Sequence, residues 1–178
     1  MLVVDRAVVG AVAFARMRRD GLIYEAIGPR GLPLDIPSTR GTRWALVESF
    51  VPRDAWLTGL AALWLEGLCS PPRWLDLAGP RGRHTTVGTK TSPRRVMHSG
   101  AAAPDPALSV GPRATAVPHA CLDALTHSPA VEALPAVASA LRTGATTRAH
   151  LEDALSQVDP HTHGRARVAS LLGALAWI

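Results

Sequence analysis

Apolar residues recur at helical spacing in several stretches of the chain. Val4, Val8, Ala11, Val12 and Ala15 form the first stripe, which runs into Arg16, Arg18, Arg19 and Gly21. Cations suit the negative end of a helix and glycine suits a left-handed cap, so the first 20 residues read as one amphipathic helix. Leu22–Ile27 (LIYEAI) is β-prone, and Gly28-Pro29-Arg30-Gly31 breaks it. Helix followed by hairpin is the tail of a winged-helix pattern, although one helix is fewer than a full winged helix carries. A second break at Pro37–Gly41 sets off residues 1–36 from 37–178.

Trp44, Val47 and Val51 mark a short helix before Pro52. Beyond Thr58, a good N-cap, Leu60, Ala61, Trp64, Leu65 and Leu68 mark another, with Trp64 read as core. Trp74–Leu77 and Arg95–His98 read as strands flanking GPRGRHTTVGTKTSP, a long exposed loop or hairpin. Leu108–Val110 and Ala114–Val117 carry further strand character, and Pro118 fits the first turn of a helix through Leu125. Three stripes follow: Val131, Leu134, Ala138, Leu141; then Leu151, Ala154, Leu155, Val158 after a cap at Thr146 or Thr147; then Val168, Leu171, Leu172, Leu175. The pattern predicts an α+β fold: a winged-helix remnant, a small mixed sheet, and a C-terminal helical bundle packed on it.

At 178 residues and 47% hydrophobic composition the chain has enough apolar surface for a core without staples. Cys69 and Cys121 make neither a disulfide framework nor a zinc quartet, which fits a reducing, cytoplasmic setting. Ala7–Ala15 ends like a signal peptide, but Asp5 beside Arg6 removes the net positive start. The longest uncharged runs, Ala55–Leu65 and Val168–Ile178, fall short of a membrane span.

Charge is lopsided, with one lysine among 19 basic residues and a net charge of +5. Between Leu77 and Ala103 stand Arg81, Arg83, Lys90, Arg94 and Arg95 with no acid. Such a stretch could straddle phosphates as a basic wing does, and five neutralised phosphates would give a salt slope of roughly −4 to −5. The alternative is a solvated loop without a partner, since no aromatic is interleaved to stack on bases.

Reaction signatures are missing: there is no nucleophile elbow, phosphate loop, H-E-x-x-H or dinucleotide fingerprint. His119-x-Cys121 matches part of a zinc deaminase site but lacks its glutamate and its P-C-x-x-C. Asp159, His161 and His163 could capture a metal adventitiously, yet the bland reading is a solvated turn between helices. The 14 acids are scattered, so no enzyme is expected, and neither a cofactor nor a resident metal.

The element order from about Asp20 to Leu175 resembles the AbiEi-type antitoxin and transcriptional regulator family, especially its actinobacterial members. GLIYEAIGPRG resembles the wing, TRWALVESF and AWLTGLAALWLEGL the paired helices, and RRVMHSG the central strand. The best stretch is LSVGPRATAVPHACLDAL, followed by VEALPAVASALRTGATTRAHLEDAL and HGRARVASLLGAL. The resemblance implies a cytoplasmic, non-enzymatic, DNA-binding repressor that counteracts a nucleotidyltransferase-like toxin. Its winged helix is shortened at the N-terminus. At Thr115–Asp123 the family's terminal Thr and Asp are kept, while His119 and Ala120 replace its Arg and Thr. The expected DNA-binding residues are Arg16, Arg18, Arg19, Arg81, Arg83, Lys90, Arg94 and Arg95. The alternative is a protein-interaction module without DNA binding, partnered by a toxin or by a second copy.

Overall fold

The computed structural model describes residues 3–79, 94–96, 112–159, 161 and 164–175. Helices and two small sheets mix along the chain, an α+β architecture.

The N-terminal stretch corrects the single-helix expectation. Val4–Asp5 is a strand (β1), Arg6–Val9 one helical turn (α1) and Ala11–Arg19 a helix (α2). Asp5 caps α1 by accepting from the Ala7 amide at 2.8 Å, and Gly10 at φ 83° separates the helices. The Val4–Ala15 stripe is not a buried face: Val8 is 71% and Val12 80% exposed, and α2 buries Phe14 instead. The α2 terminus follows the sequence reading. Gly21 takes φ 73°, and the Leu22 amide reaches back to the Met17 carbonyl.

Ile23–Ile27 (β2) and Arg30–Pro33 (β3) form the expected hairpin, and β1 adds to its far side in the order β1-β3-β2. A bulge at Tyr24 sets Ile23 opposite Pro33 and Glu25 opposite Leu32. The extra residue inverts the alternation, so Ile23 and Ile27 serve opposite faces despite their even spacing. Ile23 joins Val4 and Phe14 in a small cluster under α2. Ile27 and Leu32 instead enter the main core.

Arg40–Val47 (α3) begins in a capping box between Thr39 and Thr42 and runs into a tight 3-10 turn at Glu48–Phe50. A second sheet contains Trp56–Leu57 (β4), Leu75–Ala78 (β5) and Arg94–Val96 (β6) in that order. β4 and β5 are antiparallel, whereas β5 and β6 are parallel, with Leu75 opposite Arg94 and Asp76 opposite Arg95. A parallel pair cannot be closed by a tight turn; the expected loop or hairpin between the two strands, residues 80–93, lies outside the described residues. Ala114 makes a single parallel bridge to Leu57 on the other edge; Leu108–Val110 lies outside the described residues.

Gly59–Leu65 (α4) is buried on every side, Trp64 included. It packs against Val117–His127 (α5), which also touches Ala130–Arg142 (α6), Arg148–Ser156 (α7) and Arg165–Ala174 (α8). Pro118 sits in the first turn of α5 as expected, and Thr147 caps α7. The α6 stripe holds except at its first position: Ala138 is buried, Leu134 and Leu141 pack partly against the core, and Val131 is 79% exposed. Ala133, Ala136, Val137 and Ala140 complete the packed face, small residues that let α6 lie close to α4 and α5.

Candidate nucleic-acid interface

Of the eight expected DNA-binding residues, three fall on α2. Arg16, Arg18 and Arg19 are exposed, and α2 carries no carboxylate. Arg19 pairs with Asp20 at 3.0 Å. Among the described residues neither Arg16 nor Arg18 has an ion pair or a hydrogen-bonded side chain. Arg6, which the sequence reading did not single out, is also exposed at the start of α1. Arg94 and Arg95 belong to β6, in the other sheet, so α2 does not share an element with them. Arg81, Arg83 and Lys90 lie outside the described residues.

Phe14 packs with Val4 and Ile23 beneath α2, while Ile27 and Leu32 of the same sheet enter the main core. The Arg30 Nε donates to Asp5 at 3.0 Å, and its guanidinium lies 5.3 Å from the centre of the Phe50 ring. The Ala7 amide, together with Arg30, holds the Asp5 carboxyl below the usual carboxylate range despite the opposing effect of partial burial.

Other arginines are spent internally. Arg113 donates to the carbonyls of Val51 (3.0 Å), Pro52 (2.7 Å) and Arg53, and stands over Trp44. Arg43 donates to Ser38 and Leu65, Arg165 to Val158, and Arg167 to Ser128. A planar guanidinium suits this stapling better than an ammonium, which accounts for part of the arginine excess without any anionic partner.

The expected metal-ligand candidates are placed as follows. Cys121 is fully buried, with its thiol pushed up to about 12, first by burial and then by neighbouring Cys69. Burial also pushes Cys69 to about 12, and both are free thiols. Asp159 accepts from the His161 amide at 2.8 Å in a local turn, and His163 lies outside the described residues. Among the described residues no group of three His, Cys, Asp or Glu could hold a metal ion.

Thr115 and Asp123 have a structural use. The Thr115 hydroxyl donates to Thr58 at 3.1 Å, and the Thr58 hydroxyl donates to the Asp123 carboxylate, all three residues being buried. Thr58 precedes α4 but makes no capping bond there.

Two grooves open elsewhere. One, about 590 Å³, runs between the Cys69–Arg73 segment and α6, lined by Leu60, Pro72, Val131 and Pro135. The other, about 390 Å³, lies among Leu141, Leu151, Leu172 and Leu175, with Arg142 and Arg148 beside them. Among the described residues no helix is long and apolar enough to cross a membrane.

No family model matches this chain, and neither does any curated protein. Among solved structures, the crystal structure of the RV2827C protein from Mycobacterium tuberculosis is similar at a TM-score of 0.40 and 17% identity, covering 97% of this chain and 76% of that one.

Proposed function

We propose that the chain is an AbiEi-like antitoxin and transcriptional regulator that binds duplex DNA through α2 and carries out no reaction of its own. The observation behind this reading is an arginine-bearing helix, exposed along its outer side, that leads directly into a hairpin whose strands pair as β1-β3-β2. A helix seated on such a hairpin can enter a groove while its cations meet phosphates. Scattered acids, buried thiols and a buried Thr–Asp chain favour a scaffold over a reactive centre. The expected protein partner is a nucleotidyltransferase-like toxin.

The test is binding of a labelled duplex, measured by anisotropy across a salt series. The wild type should bind more weakly as salt rises. Replacing Arg16, Arg18 and Arg19 together by Gln should make the slope shallower by about 3, at roughly 0.9 per phosphate contact. Absence of any binding at low salt sinks the DNA reading.

A second reading, a protein-interaction module without DNA binding, is favoured by one observation. Val131 is exposed at the groove beside α6, and Trp74 is exposed at a smaller one that shares Leu60, Pro72 and Arg73 with it. Co-purification with a toxin in the absence of DNA binding would select it.

A further inference from the structure

This inference rests on the DNA reading and specifies what α2 reads. With Phe14 turned inward, helical geometry puts Val12, Arg16 and Arg19 on the line opposite it, at i, i+4 and i+7, with Ala13 and Ala15 alongside. Val12 is 80% exposed and Val8, across the Gly10 break, 71% exposed. Within α2, the half of this face ahead of Arg16 therefore presents methyl groups and no side-chain donor or acceptor.

Charge decides the occupant. From Arg6 to Arg19 there are four guanidinium groups and no carboxylate; Asp20, the next residue, pairs with Arg19 and leaves Arg6, Arg16 and Arg18 unopposed on this side. A second copy packed symmetrically on this face would set those cations against themselves, and a neutral apolar partner would strip water from Arg16 without compensation. A duplex supplies both complements, phosphates for the arginines and, in the major groove, the thymine C5-methyl for the valine.

We infer that Val12 packs against a thymine methyl group in the major groove while Arg16 and Arg19 lie against the flanking phosphates. Discrimination by the leading half of this helix is then by methyl contact, favouring thymine-containing steps.

The experiment compares a labelled alternating d(AT) duplex with the same duplex carrying uracil in place of thymine, using the full chain and its Val12→Ser variant. The wild type should bind d(AT) about fourfold more tightly for each thymine methyl that Val12 covers, and Val12→Ser should bind both duplexes alike. Equal, salt-sensitive binding of the two duplexes by the wild type overturns the inference and leaves the DNA reading standing. A preference for d(AT) that survives in Val12→Ser also overturns it. Failure to bind either duplex removes the DNA reading itself. An altered oligomeric state of Val12→Ser assigns the face to a second copy instead, and overturns the inference.

Discussion

The Thr58 hydroxyl donates to the Asp123 carboxylate across 65 residues of sequence, joining the start of α4 to the middle of α5 inside the core. Thr115 donates to Thr58 in turn, so three segments meet at one hydrogen-bonded chain. Such a chain holds the two most buried helices in register, since sliding either one would separate donor from acceptor in a low-dielectric interior.

Thr58→Val keeps the shape of the side chain and removes the hydroxyl. It should lower stability by about 1.5–3 kcal/mol, the usual worth of a hydrogen bond to a charged group. Thr143→Val, at an exposed helix end, should stay within about 0.5 kcal/mol. Urea unfolding of the two variants separates the cases; equal midpoints would refute a structural role for the buried chain.

Arg113 gathers three carbonyls from Val51, Pro52 and Arg53. Arg113→Lys keeps the charge but has no planar fork to span them, so it should cost about 1–2 kcal/mol in the same unfolding assay. A Lys variant as stable as wild type would mean that charge alone matters there.

Asp5 predicts a pH dependence. Its folded-state carboxyl titrates below the ordinary aspartate value, chiefly because the Ala7 amide donates to it, so the unfolded chain binds the proton more readily. The stabilisation is present above the unfolded value and fades as pH falls through the lower, folded one. Asp5→Asn should therefore flatten the stability profile below about pH 4. An NMR titration placing Asp5 at or above the unfolded value would contradict this.

Both thiols should resist alkylation in the folded protein. With values pushed up to about 12, the thiolate fraction at pH 8 is on the order of 10⁻⁴. Iodoacetamide should modify Cys69 and Cys121 together and only after denaturant is added. Rapid labelling of Cys69 in the native state, detected by mass spectrometry, would disprove it.

Periodicity made α3, α7 and α8 legible, because their apolar residues keep one face toward the core; α4, buried on every side, was legible from its apolar run between Thr58 and the Cys69–Pro72 stop. It misled at residues 4–15, where a glycine break and an N-capping aspartate convert an apparent stripe into a strand and two helices. In α6 it misled at one position, where Val131 faces solvent while Leu134, Ala138 and Leu141 of the same stripe pack inward. Thr58 was legible as a helix start, but its hydrogen bond to Asp123 depends on tertiary contact that no local pattern encodes. Among the candidate cations, Arg16, Arg18 and Arg19 were visible as a cluster. The employment of Arg43, Arg113, Arg165 and Arg167 on carbonyls was not, since a guanidinium's destination is not written in its neighbours.

The bulge at Tyr24 makes the hairpin two-sided, one side carrying α2 and the other resting on the body of the protein. Deleting that single residue would turn Ile23 over and strip the floor from beneath Phe14, tipping the arginine helix off its mount. Length is thus fixed within this strand, and insertions or deletions tolerated in related chains should fall outside it.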